Sequence, residues 1–229
     1  MTEVVNNQKT SAMPCIQFVE LTNYNKYTEP YGLYHTEVQE FRYDLTEALR
    51  SLVPEFAITE VAAMLKRHKV LLQVGTPLRH LGRYFHDERK IYINNNLEKD
   101  RFFRTFVHEY AHLLTDLCFP KVPHHGAEFY YCNGELINKL IEKNLIQQND
   151  FEQVFGPNSY KNYLFYKNNK QFNFNLKTLR VGSSIIYNGE VYLRQKGHRG
   201  LINCMKVSDG SIIKLGSEAK VLPMLDLSW

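Results

Sequence analysis

Phe106-Val107-His108-Glu109-Tyr110-Ala111-His112-Leu113-Leu114 is the stretch on which the reading of this chain turns. His108 and His112 are four residues apart, so a helix projects both from one face, about one turn from each other. Two imidazoles placed in that way can grip one metal ion, and Glu109 stands beside them as a general base. The residues around them, Phe103, Phe106, Val107, Tyr110, Ala111, Leu113, Leu114 and Leu117, leave the helix almost no other polar surface. Unpaired histidines and a glutamate would be costly on such a helix. A metal gives them a reason to be there.

Working outward, residues 70–74 predict a short strand stopped by Gly75-Thr76-Pro77. Residues 82–86 and 90–93 predict a hairpin that turns at Asp87-Glu88-Arg89. The metal helix then starts near 97–100 and runs to about Cys118, where Phe119-Pro120 ends it. Residues 127–144 read as a further helix, with Phe129, Tyr130, Leu136, Ile137, Leu140 and Ile141 on its inner face. Upstream, 36–52 is helical in pattern with Thr36 as N-cap, and 56–66 forms a second helix after Pro54. Residues 145–175 are rich in amides and aromatics, broken at Gly156-Pro157-Asn158, with one packing helix through Tyr160, Tyr163, Leu164 and Phe165.

From Leu176 the texture changes to short β-type runs punctuated by Asn188-Gly189 and Asp209-Gly210, which are hairpin signals. The expected organisation is α+β: a lead-in over 1–35, a metal-bearing domain over 36–170, and a small all-β, SH3-like barrel of five strands over 176–229. Tyr24, Tyr27, Tyr31 and Tyr34 of the lead-in are read as aromatics laid over the main core.

With 44% hydrophobic and 23% charged residues the chain has the make-up of a globular protein, which excludes extensive disorder. No run is apolar for long enough to suggest a membrane span, and the first residues lack a signal-peptide pattern. Cys15, Cys118, Cys132 and Cys204 are scattered and form no Cys-x-x-Cys pair, so they are expected as free thiols in a reducing cytoplasm. The formal charge of +4 falls entirely within 176–229, which has eight Lys/Arg against four Asp/Glu. That excess hints at an anionic partner for the C-terminal piece.

His108-Glu109-Tyr110-Ala111-His112, followed by His125-Gly126-Ala127-Glu128-Phe129, resembles the SprT-like (Spartan-type) zinc metalloproteases, whose downstream element is His-Gly-x-Glu-Phe. Gly82-Arg83-Tyr84 with Lys90-Ile91-Tyr92-Ile93-Asn94 is similar to the family's hairpin before the metal helix, and the resemblance covers roughly residues 36–144. It implies a zincin-like domain, Zn²⁺ as cofactor, His108, His112 and His125 as its ligands, and Glu109 as catalytic base. The family often continues into a four-cysteine zinc ribbon, which this chain does not have.

His124 adjoins His125 and is a rival third ligand, although Gly126 favours His125. Glu128 or Glu135 as third ligand would make a different class of zincin. In the implied chemistry, water acidified by zinc gives its proton to Glu109 and attacks a peptide carbonyl, and Glu109 later passes the proton to the leaving amine. Tyr84, Tyr130 and Tyr131 are candidates to steady the oxyanion, and strand 90–93 is the expected edge for an extended substrate.

His35, His68, His80 and His86 are read as surface or loop histidines, and His198 as part of a solvated hairpin tip. Arg180, Arg194, Lys196, Arg199 and Lys206 are candidate phosphate contacts. The family's association with DNA and with proteins crosslinked to it makes DNA-associated protein the expected substrate. A barrel simply docked on the metal domain is the competing role for 176–229. Two other readings of the whole remain: a metallohydrolase with a non-peptide substrate, and an adaptor with structural zinc.

Overall fold

The computed structural model describes residues 19–21, 45–75, 79–147, 151–168 and 172–229. Its first elements are β1 (Val19–Leu21), α1 (Leu45–Arg50) and α2 (Ile58–His68), then β2 (Leu71–Gly75), β3 (Gly82–Phe85) and β4 (Lys90–Asn94). Three helices follow: α3 (Lys99–Cys118), α4 (Ala127–Glu142) and α5 (Phe151–Asn168). The remaining strands are β5 (Phe174–Asn175), β6 (Ser184–Tyr187), β7 (Glu190–His198), β8 (Leu201–Lys206), β9 (Ile212–Gly216) and β10 (Lys220–Pro223). The class is α+β, with a small mixed sheet and a larger antiparallel one.

The small sheet has the order β1-β2-β4-β3. β2 runs parallel to both β1 and β4, while β3 is antiparallel to β4. Leu72 and Val74 align with Ile91 and Ile93, and all four are buried, so one period-2 face of each central strand forms the floor of the core. Two expectations change here. β4 is paired on both sides, so it cannot be the edge that receives a substrate; among the described residues the edges are β1 and β3, and β3 is the one that borders β4. The polar lead-in also contains β1, which gains order from its parallel register with β2. The N-terminal part of the helix expected over 36–52, its cap Thr36 and the four lead-in tyrosines lie outside the described residues.

α3 lies against β3 and β4 and packs on α4 and α5. Phe102, Phe103, Phe106, Val107, Tyr110, Leu113 and Leu114 are all within 1% of complete burial, which fits the apolar surface seen in the sequence. Gly134 lets α5 close onto α4: a Cβ there would sit 2.1 Å from the Tyr166 ring. The break expected at Gly156-Pro157-Asn158 is absent, and α5 runs through it. Burial of Tyr163, whose hydroxyl donates to Asn138 Oδ1 at 2.8 Å, anchors the second half of α5 on α4 and outweighs the local cost of proline.

The larger sheet has the order β5-β10-β6-β7-β8-β9. It has six strands and remains open, with β5 and β9 as its edges, so the expected five-strand barrel does not close. β9 alternates between exposed and half-buried residues, so it has no strongly apolar face that closure would bury. One buried cluster runs from α1 through Leu176, Ile185, Cys204 and Val221 without interruption. Tyr131 donates to the Pro223 carbonyl at 2.6 Å, Arg67 pairs with Asp226 at 2.7 Å, and Lys143 sits over the Trp229 ring. The C-terminal sheet is therefore docked on the helices by shared core as well as by polar contacts. Among the described residues, no helix is long and apolar enough to cross a membrane. Cys118, Cys132 and Cys204 are free and buried, as expected; Cys15 lies outside the described residues.

Candidate metal centre

α3 presents His108 and His112 one turn apart, and the loop before α4 brings His125 to them. One ring nitrogen from each lies within 4.8 Å of the other two, so the three could hold a metal ion. His108 Nε2 and His125 Nε2 are 3.3 Å apart. Phe129, fully buried in the first turn of α4, forms the floor: its ring lies 4.4, 5.2 and 4.9 Å from those of His112, His108 and His125. The sequence shows Phe129 as an inner-face residue of its helix and the last residue of the His-Gly-x-Glu-Phe element; its contact with all three histidines needed the fold.

Burial lowers the pKa of His108 to about 4, with the neighbouring His125 adding to the effect. His112 is lowered to about 3 by burial and then by His108, His125 and His124, and burial also lowers His125. Each ring is thereby kept neutral at ordinary pH, the form in which its nitrogen can donate a lone pair. His124 is exposed, with its ring 5.8 Å from that of His112, and stands outside the trio. Neither glutamate rival joins the group. Glu135 accepts the Tyr166 hydroxyl at 2.5 Å, and Glu128 lies by Gly126 at the start of α4.

Glu109 is buried, and desolvation raises its pKa to about 7 despite a hydrogen bond from the Tyr84 amide and the nearby charge of Arg83. The geometry of β3 explains that bond. Asn94 N–H donates to Leu81 O, so 81/94 is a bonded pair; alternation then directs the Tyr84 amide to the open edge of the sheet. Gly82 makes the close approach possible. A Cβ there would stand 2.6 Å from Thr105 Cγ2 and 3.1 Å from Glu109 Cγ. A basic carboxylate thus touches the edge strand β3, and a trio of neutral imidazoles gathers on the same helix. Such an arrangement can take a proton from water close to a bound cation.

Asp116, one further turn along α3, escaped the sequence reading. Its carboxylate receives Tyr84 Oη at 3.2 Å, His86 Nδ1 at 2.7 Å and Arg180 Nη2 at 3.0 Å. Arg180 also caps the helix: its Nε donates to Asp116 O at 3.1 Å and its amide to Cys118 O at 2.7 Å. Two histidines read as surface residues are therefore engaged. His86 pairs with Asp116, and His68 has a side chain only 8% exposed beside Tyr110 and Asp226.

The basic set of the C-terminal sheet is largely committed too. Arg194 is buried and donates to Leu176 O at 3.0 Å, Arg180 holds Asp116, and Lys206 pairs with Glu190 at 3.1 Å. Lys196 and Arg199 are exposed at the β7–β8 tip with His198, while His80 is exposed before β3. The oxyanion candidates fare similarly. The Tyr84 hydroxyl donates to Asp116, that of Tyr131 to Pro223 O, and the Tyr130 ring packs against Phe129 and Phe165.

No family model, curated protein or solved structure matches this chain.

Proposed function

We propose that the chain is a zinc-dependent peptidase of SprT-like type, built on a zincin-like domain. The single observation that carries this reading is the meeting of three neutral histidines beside a buried glutamate that touches an edge strand. Two nitrogens, each about 2.05 Å from zinc and at the tetrahedral angle, stand about 3.3 Å apart. His108 Nε2 and His125 Nε2 have that separation, 3.3 Å. An all-nitrogen set of three also suits zinc and leaves a fourth position for water.

Zinc held by His108, His112 and His125 would supply a Lewis acid that acidifies water and polarises a carbonyl. Glu109 takes the proton of the attacking water, helped by the basicity that burial confers. It delivers that proton to the amine as the peptide C–N bond breaks. β3, as the open edge, pairs with an extended peptide and carries its carbonyl past Glu109.

The test is hydrolysis of casein by zinc-loaded wild type and by Glu109→Gln. Wild type should cleave, and the variant should lose at least about a hundredfold in rate while retaining zinc. Equal rates, or no cleavage by zinc-loaded wild type, would remove the reading. Action on DNA-associated proteins is its narrower form, carried by Lys196 and Arg199 at the β7–β8 tip. Substituting both by glutamate should abolish salt-sensitive retention on DNA, and unchanged retention would dispose of that role.

A further inference from the structure

We infer that His86, oriented by Asp116, is a further catalytic residue, which hydrogen-bonds the oxyanion formed when the peptide carbonyl is attacked. The inference rests on the peptidase reading and adds a residue that the metal motif does not contain. His86 begins the turn after the edge strand β3. Its Nδ1 is 2.7 Å from Asp116 Oδ1, while its side chain is 59% exposed and Asp116 is only 17% exposed. A mostly buried carboxylate thus fixes one ring nitrogen and leaves the other, Nε2, on the open side.

Placement follows from the helix. Asp116 is four residues beyond His112, about 6 Å further along the axis and on nearly the same face. β3 lies along that face, from Gly82 at Thr105 and Glu109 to His86 at Asp116. A peptide paired on β3 therefore passes both Glu109 and His86. The tyrosine hydroxyls of Tyr84 and Tyr131 are already donating elsewhere, whereas the His86 ring has one nitrogen fixed on Asp116 and the other turned outward.

In the step itself, a water oxygen bonds to the carbonyl carbon and its proton passes to Glu109. The carbonyl π pair moves onto oxygen, which accepts a hydrogen bond from Nε2–H of the His86 imidazolium. When the C–N bond breaks, that pair returns, and the amine takes the proton from Glu109. His86 keeps both protons throughout. The groups facing it are Asp116 from α3 and Asp87 of its own turn, 4.0 Å from Nε2. Arg180 shares the same Asp116 oxygen, and the Tyr84 hydroxyl donates to the other.

His86→Ala and Asp116→Asn test the assignment in the zinc-loaded protein. Calorimetric affinity for a peptide phosphonate, a stable tetrahedral anion, should fall about a hundredfold in His86→Ala, and kcat should fall in parallel with KM nearly unchanged. Zinc content and thermal midpoint should stay at wild-type values, because the ring is largely exposed. Asp116→Asn should lower kcat and phosphonate affinity together, again with KM nearly unchanged, because the ring is no longer held in place. If wild type cleaves and Glu109→Gln does not, yet His86→Ala retains kcat and phosphonate affinity, the inference falls and the peptidase reading stands. If zinc-loaded wild type neither cleaves peptide nor binds the phosphonate, both fall.

Discussion

Gly82→Ala offers a sharp test of how β3 is held against the metal helix. An added Cβ would lie 2.6 Å from Thr105 Cγ2, 3.1 Å from Glu109 Cγ and 3.1 Å from the Tyr92 carbonyl oxygen. Thr105 is buried and its hydroxyl is tied to Arg101 O at 2.8 Å, so the methyl cannot rotate away without breaking that bond. Overpacking of this kind costs about 1–3 kcal/mol. Urea denaturation of the metal-free protein should show that loss. Thr105→Ser keeps the hydroxyl and removes the methyl, at a cost of roughly 1 kcal/mol by itself. In the double variant the clash is relieved, so the two changes should be coupled favourably by about 1 kcal/mol or more. Peptide hydrolysis should recover less than stability does, because the contact with Glu109 remains. A Gly82→Ala protein as stable as wild type, or a double variant with strictly additive losses, would refute this account of the β3–α3 contact.

Other consequences can be measured on the same protein. Since His108 and His112 titrate at about 4 and 3, zinc affinity should stay level as pH falls through 6.5 and drop only towards the lower values; a drop centred near 6.5 would contradict the burial of the site. In the metal-free protein those depressed values give stability that is complete above pH 6.5 and lost as pH falls towards 4. Glu109, raised to about 7, works in the opposite sense: its contribution is complete below pH 4.5 and lost as pH rises through 7. Glu109→Gln should accordingly stabilise metal-free protein at pH 8 by up to about 3 kcal/mol, and the gain should vanish near pH 4. Because Leu176, Ile185 and Val221 belong to the same buried cluster as the helices, thermal unfolding should show one transition, and deletion of 176–229 should leave an unstable remainder. Two separate transitions would contradict a shared core.

The parts legible in the sequence are those written in short-range periodicity. The pairing of His108 and His112 depends on one helical turn, and the β3–β4 hairpin depends on two neighbouring runs with a turn between them. Glycine after His125 was enough to favour it over His124, and it is the His125 ring that meets those of His108 and His112. What escaped notice depends on contacts between distant segments. Asp116 looks like an ordinary surface residue of α3 until β3, its turn and the segment before β6 all reach it. The identity of the edge strand also requires the sheet order, since β3 and β4 have similar patterns while only β4 has neighbours on both sides. The C-terminal arginines read as a basic surface because a sequence shows charge but not the carboxylate or carbonyl that engages it. β5 and β10 are short, and Pro223 in β10 disguises a strand whose burial comes from the helices beneath.

His108, His112 and His125 are proposed to form one zinc centre on which Glu109 acts. Metal analysis of purified wild type beside His108→Ala, His125→Ala and His124→Ala tests it most directly. One zinc per chain is expected in wild type and in His124→Ala, and loss of zinc in the other two. Zinc retained by His125→Ala and lost by His124→Ala, or a wild type that binds none, would contradict it.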